Sequence, residues 1–219
     1  DQQHFPDEFV QAIRNFRVRG SSGKVNIALA SLPDFTCLPG EGPLHRGAIS
    51  ISPSIDYVER AYDDAKYGNF SRQPYMDIII PSMIDRDMAP PGHHVMSCFV
   101  QYAPYDVEGG WTEANKEAFG ETVLATIEKY APNIRQVIVG KQVITPQDIE
   151  RIARITGGNI FHGELLLHQL FFMRPAPQWA DFRTPLPGYY FGAAGAHPGG
   201  GVMGAAGRMA ATEILRDWQ

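Results

Sequence analysis

An α+β fold is predicted. Two observations support it. Short apolar strand candidates alternate with single long helical stretches, and several strand pairs lack the helix that a parallel crossover requires. The eight residues Val95 to Tyr102 also carry two apolar sets two residues apart, Met96, Cys98, Val100 and Tyr102 against Val95 and Phe99, which suits a central strand.

In chain order, Pro6 to Phe16 reads as a helix with Phe9, Ile13 and Phe16 on one face and Asp7 and Glu8 in its first turn. Arg17 to Lys24 is a basic Gly/Ser turn whose spacing fails the phosphate-loop pattern. Val25 to Ala30 is almost wholly apolar and is expected to be a strand buried on both faces. Pro33 to Pro43 is loop, and Gly47 to Ile51 a strand. Ser52-Pro53 or Ser54 caps a helix carrying Ile55, Val58, Ala61, Tyr62 and Ala65, which Gly68 stops. Met76 to Ile80 is a strand closed by Pro81. Asp85 to Gly92 connects it to the strand His94 to Tyr102. Thr112 caps a long helix, Glu113 to Tyr130, with its stripe at Phe119, Val123, Leu124, Ile127 and Tyr130. Ile134 to Gly140 reads as a strand. Thr145, Pro146 and Asp148 form a capped helix start, and that helix runs to Gly157 and Gly158. A short aromatic strand, Tyr189 to Phe191, precedes a turn rich in Gly, Ala and Pro, after which a helix starts near Val202 and carries Met203, Ala206, Met209, Ala210 and Leu215.

Composition narrows the function classes. With 219 residues the chain can bury a substantial core, and 44% apolar with 20% charged residues is ordinary for a globular protein. A net charge of −5 without a Lys/Arg cluster argues against a nucleic-acid partner. Cys37 and Cys98 are too few for a disulfide framework or a four-thiolate zinc site, so a reducing, cytoplasmic setting is expected. No signal peptide and no membrane span is read.

Chemistry concentrates in Gly188–Arg208, GYYFGAAGAHPGGGVMGAAGR. Three consecutive glycines before a helix leave backbone N–H groups bare at its positive end, a setting for an anionic or polar ligand. Gly199, Gly201 and Gly204 satisfy G-x-G-x-x-G. A dinucleotide fold needs a further strand and an acidic residue about twenty positions on, whereas the sequence closes at Gln219, so an autonomous dinucleotide site is not expected. A tightly packed helix entry is the plainer alternative.

Other clusters are weaker. His162, Glu164 and His168 lack the spacing and cysteines of zinc motifs, so no metal site is assigned. His93 and His94 read as a surface pair, and Asp63, Asp64, Asp85 and Asp87 as solvated. No serine or cysteine sits in a nucleophile motif, and the catalytic residues stay unassigned. The most apolar window, Phe161 with Leu165–Leu167 and Leu170–Met173, is expected first of all to be core. It could instead line an apolar channel, or form a membrane-contacting face with Arg174 and Trp179.

HPGGGV (His197–Val202) followed by Gly204-Ala-Ala-Gly207-Arg208 resembles the C-terminal flavin motif of phytoene dehydrogenase-related FAD oxidoreductases, of the carotenoid desaturase and amine oxidase superfamily. TGGNIFHGE (Thr156–Glu164), continuing to QLFFMRP (Gln169–Pro175), is similar to a second block, as are RGSSGK (Arg19–Lys24) and Asp56–Gly68. Likeness covers nearly the whole sequence. It implies a substrate-binding domain over 1–180, with a mixed, largely antiparallel sheet and helices on one face, and, over 181–219, the closing strand and helix of an FAD-binding domain whose Rossmann half lies upstream. FAD would be the cofactor, bound by Ala194, Gly195, His197, Pro198, Gly199, Gly200, Gly201, Val202, Met203 and Gly204. A lipophilic substrate would meet Phe161, His162, Leu166 and Leu170 and give a hydride to the flavin. The partner would be the missing N-terminal half. A homodimer or a peripheral membrane contact would be further ways to cover apolar surface. The family carries Ser and Asp where this sequence has Leu166 and His168, and Cys-Gly in place of Gly192-Ala193. Alone, the chain is expected to be inactive and not to hold FAD tightly. A non-catalytic module binding a lipophilic ligand, or a scaffold sharing the fold, is the alternative.

Overall fold

The computed structural model describes residues 2–219. In chain order its elements are α1 (Asp7–Asn15), β1 (Ser22–Leu29), β2 (Ile49–Ile51), α2 (Ile55–Lys66), β3 (Tyr75–Ile79), β4 (His94–Gln101), α3 (Glu113–Glu128), α4 (Ile134–Val137), β5 (Ile138–Ile144), α5 (Pro146–Ala153) and α6 (Ala205–Asp217). They divide into two compact units: Gly20–Ala153, and the chain up to Arg19 together with Arg154–Gln219.

Gly20–Ala153 is built on a five-stranded sheet of order β2-β3-β4-β1-β5. Every pairing is antiparallel, in keeping with the largely antiparallel sheet expected. The class is α+β, as predicted, and β4 is the middle strand. Registers Val25↔Cys98, Ile27↔Met96 and Ile78↔Cys98 align the apolar positions of three strands on one face. Val25, Ile27, Leu29, Met76, Ile78, Met96, Cys98 and Val100 are buried there. The other face carries Lys24, Asn26, Ser97 and Asp77, so β1 is buried on one side only, contrary to the expectation of two. Its apolar run misled because Ala28 is small enough to stand exposed.

Helix α3 seals the core face. Its residues Phe119, Val123, Leu124 and Ile127 recur at helical spacing and are buried. The approach is close: a Cβ on Gly23 of β1 would lie 2.8 Å from the Phe119 ring, and one on Gly120 would lie 2.9 Å from Val143 of β5. Glycine is required at both contacts for packing, not for backbone conformation. Cys98 sits at the centre of this core, where burial pushes its thiol up to about 12, so it stays protonated and unreactive.

The caps follow the sequence. Thr112 Oγ1 accepts from Asn115 N at 3.2 Å and Ser54 Oγ from Tyr57 N at 3.1 Å. Thr145 and Asp148 cap α5 reciprocally: Thr145 N and Oγ1 donate to Asp148 Oδ2 at 3.1 and 3.0 Å, and Asp148 N donates to Thr145 Oγ1 at 3.2 Å. Lys116 of α3 reaches the same carboxylate at 3.0 Å, which ties α5 to α3. Two sequence-based elements shift. Residues 134–137 form the turn α4, and the strand follows over 138–144, because Ile134 and Val137 are buried one helical turn apart. Helix α5 stops at Ala153, ahead of Arg154 with φ 58°, instead of running to the paired glycines.

In the second unit α1 forms as expected, with Phe9 stacked on Phe5 at 5.2 Å and edge-on to Trp179 at 5.0 Å. Buried amides tie its distant segments. Gln169 Nε2 donates to the carbonyls of Arg17 (3.1 Å) and Glu164 (3.2 Å), and its Oε1 accepts from Arg17 N at 2.8 Å. Asn159 Nδ2 donates to Arg19 O at 2.9 Å. The apolar window is not core here. Phe161, Leu165, Leu167, Phe171 and Phe172 are exposed, because short 3-10 turns at Leu167–Gln169 and Phe171–Met173 give no continuous apolar face. Tyr189 to Phe191 makes only an isolated bridge between Tyr190 and Arg183 in place of a strand.

The Asp148 cap gives a pH-dependent outcome. Burial alone would raise this carboxyl, but hydrogen bonds from Arg151, Lys116 and Thr145 outweigh it and hold it at about 2, below its ordinary 3.8. A depressed folded-state value means the contribution is fully present above pH 3.8 and is lost as the pH falls toward about 2. Asp148→Asn is expected to destabilise the protein at neutral pH and to flatten the acid limb across that window. Denaturation midpoints of both proteins against pH check it, and parallel acid limbs would refute it.

Candidate functional site

The glycine-rich corner lies between Phe191 and α6. Its backbone explains its composition. Gly199, Gly201 and Gly204 adopt φ of 103°, 128° and 67°, conformations that a side chain disfavours. A Cβ on Gly201 would fall 2.9 Å from Met203 Cε. Val202, at φ 57°, is a β-branched residue in the left-handed region and is fully exposed, a strained position of the kind found at functional turns.

Helix α6 starts at Ala205, three residues later than the sequence suggests. Val202 and Met203 extend the apolar pattern but belong to the turn, and the left-handed Gly204 is the N-cap. It offers no side-chain acceptor, so the first-turn amides of α6 open onto this corner. The helix buries only Ala206 and Ala210, one turn apart, with Ala196, Phe182 and Phe191 beside them. Met203, Met209 and Leu215 are exposed, so the expected stripe shrinks to two alanines. Close packing has a visible cause: a Cβ on Gly192 would meet Ala210 Cβ at 2.9 Å. A Cβ on Gly195 would meet the Phe191 ring at 2.8 Å.

Arg174 joins this corner to the Phe161 turn. Its side chain is 1% exposed. Nε donates to Gly195 O at 3.2 Å, and Nη2 donates to Ala194 O at 3.0 Å and to Phe161 O at 2.5 Å. Its guanidinium carbon is 3.9 Å from where a Cβ on Gly199 would stand. The Phe16 ring lies 6.0 Å away. The structure thus brings Phe161, Ala194, Gly195 and Gly199 together around one cation. The His197 ring is 6.2 Å from that of Phe171. Gly200, Gly201, Val202, Met203 and Pro198 are exposed on the corner. His162, exposed at φ 54°, follows Phe161 in the turn, whereas Leu166 and Leu170 flank the buried Gln169. The sequence offers Arg174 as part of the QLFFMRP block and of one alternative, a membrane-contacting face, and does not reveal this hub. The available signal was a single charged residue closing an apolar run.

The remaining clusters have ordinary partners. Glu164 forms a two-pronged pair with Arg19, at 2.7 and 3.0 Å, and that guanidinium holds its carboxyl below the usual range. No group of three or more His, Cys, Asp or Glu among the described residues could hold a metal ion. His93 is exposed, but His94 is half-buried, with Nδ1 3.3 Å from Ser82 Oγ, and burial lowers its basicity. This corrects the expected surface pair for one of its members.

The chain has named relatives. Over 224 aligned residues, 99% of the chain, it is 42% identical to pyridine nucleotide-disulfide oxidoreductase domain-containing protein 2 of Mus musculus. The Rattus norvegicus protein of that name matches to the same extent. A weaker likeness, 29% identity over 136 residues and 60% of the chain, connects it to a lycopene-forming phytoene desaturase of a Paracoccus species. The chain spans 39% of the length of the two rodent relatives and 26% of the desaturase. No family model matches it.

Relief of the strain at Val202 tests the corner's geometry. Val202→Gly is expected to raise stability by about 1 kcal/mol, because glycine accepts this φ and the exposed valine loses no packing. Chemical denaturation of both proteins measures it. A loss of stability would show that residue 202 is not in the left-handed region.

Proposed function

From the 42% identity to the rodent relatives over 99% of the chain, we propose that its glycine corner is one wall of a flavin site in an FAD-dependent oxidoreductase. The substrate class we infer is lipophilic, oxidised at a C–H bond by hydride transfer. The observation that carries this reading is the corner itself: three positive-φ glycines, bare of side chains, at the amide-rich end of a helix. The residues present fit such a group, since Gly199 and Gly201 hold positive φ that side chains disfavour and leave the backbone bare. Ala194, Gly195, His197 and Pro198 would hold the approach to it, with Val202, Met203 and Gly204 at its rim.

When bound, the flavin supplies the hydride-accepting chemistry. The chain's contribution is electrostatic and steric. First-turn amides of α6 and the helix dipole stabilise negative charge at the corner. The glycines admit a planar ring to hydrogen-bond range of the backbone. No side chain in this unit is assigned as acid or base, and hydride transfer does not require one. Exposed Phe161, Leu165, Phe171 and Phe172 offer apolar contact to a lipophilic substrate or to a partner surface. No helix among the described residues is long and apolar enough to cross a membrane. The same exposed run supports a second reading, a lipophilic-ligand module without catalysis.

The two readings separate by colour and by turnover. A longer protein carrying this chain is expected to purify with bound flavin, and anaerobic addition of its substrate is expected to bleach the visible flavin band. Gly201→Val in that protein is expected to lower flavin content by about tenfold or more, with the far-ultraviolet circular dichroism unchanged, because the valine would need a disfavoured φ inside the cradle. The isolated chain is expected to hold no flavin. A colourless longer protein would leave the module reading in place of the enzyme. A yellow isolated chain would show that no further segment is needed for tight binding.

A further inference from the structure

The Arg174 guanidinium has no carboxylate partner among the described residues. Its acceptors are three peptide carbonyls, and Nη1 is buried with no acceptor among those residues. A buried full charge is costly unless it is compensated, and carbonyl oxygens compensate it only in part. Structural need alone would be met more cheaply by a neutral donor such as the amides of Gln169 and Asn159, which tie other segments of the same unit. A cation is present instead, with its carbon 3.9 Å from the Cβ position of Gly199.

We propose that Arg174 is a positioning residue that also sets the polarity of the corner: from beneath Gly199 it makes this site select the negatively charged form of its ligand. The proposal rests on the flavin reading and adds a residue and a preference to it. Three bonds fix the charge. Nε and Nη2 hold Ala194, Gly195 and Phe161 in place, so the guanidinium cannot swing out to water. Its field adds to that of the α6 dipole, and both are positive. Arginine keeps its proton at any working pH, so the preference does not switch. For a flavin, whose pyrimidine edge gains negative charge on reduction, charge near that edge is a recognised means of tuning. Arg174 would therefore tighten the reduced form relative to the oxidised one and raise the reduction potential.

The test uses the flavin-loaded longer protein and does not depend on turnover. Reduction potentials of wild type, Arg174→Lys and Arg174→Gln are measured by dye equilibration. Arg174→Gln keeps a donor but removes the charge, and is expected to shift the potential negative, by the equivalent of about a tenfold loss in preference for reduced flavin. Arg174→Lys is expected to recover most of that shift. Equal potentials in wild type and Arg174→Gln, with normal flavin content, would overturn the proposal while leaving the flavin reading intact. A protein without flavin would remove both. Should neither variant fold, sulfite titration of the wild type decides. Sulfite sulfur bonds to the ring's N5, and the added charge settles on the pyrimidine side. Binding at least about tenfold tighter than to free flavin supports the proposal, and binding no tighter overturns it.

Discussion

Three hydrogen bonds from one buried guanidinium decide the geometry of the candidate site. Arg174 donates to Phe161, Ala194 and Gly195, residues more than thirty positions apart at the extremes, and thereby holds the Phe161 turn against the glycine corner. The unit has little else to do this with. Its buried apolar set beside α6 is small, Phe182, Ala196, Ala206 and Ala210, and three of those four side chains are single methyl groups. Burial of methyls contributes little per residue, so polar ties carry an unusual share of the specification. Gln169 and Asn159 repeat the device: buried amides bonded to backbone, each bridging segments far apart in sequence.

The other unit is organised differently. Between Gly20 and Ala153 the sheet and α3 enclose a continuous apolar core, and its buried polar groups find hydrogen-bond partners, as Thr145 and Asp148 do in their cap and Ser71 does at the Ala61 carbonyl. Such a core is dense and tolerates few changes of volume, as the contacts beneath Gly23 and Gly120 indicate. The contrast follows from composition. Val, Ile, Met and Phe alternate with polar residues in the sheet strands, while Gly, Ala and Pro crowd the segment after Gly188. Small residues give up buried area and gain backbone proximity, a poor exchange for stability and a useful one where a ligand must lie against peptide groups.

How far each unit can be read from sequence follows the same division. Strand β4 and helix α3 were legible because their apolar periods, two and three to four residues, each match one structure. Thr145 and Asp148 were legible as a cap because the motif is local. The start of α6 was not, since Val202 and Met203 continue an apolar pattern that a left-handed backbone interrupts, and backbone handedness leaves no trace in hydrophobicity. Phe161 to Met173 misled for a related reason: it is apolar without a period, so nothing in it distinguishes buried from exposed. Tyr189 to Phe191 has the residues of a strand, but a strand also needs a partner, and Arg183 supplies one bridge. The glycine corner was recognisable by spacing, whereas the cation beneath it was not, because Arg174 is brought to Gly195 only by tertiary structure.

The position of that cation changes what the glycines are for. A helix end alone offers partial charges that water screens readily and that fade within a turn. A guanidinium fixed by carbonyls adds a full charge that cannot rearrange when the ligand's charge changes, and preorganised charge of this kind is what favours one charge state of a ligand over another. The bare backbone then has a second effect besides access. Each absent side chain shortens the distance between the buried charge and whatever rests on the corner, and the interaction grows as that distance falls. On the proposed flavin reading Arg174 and Gly199 form one device: the arginine would supply the field, and the glycine would let it reach the ligand.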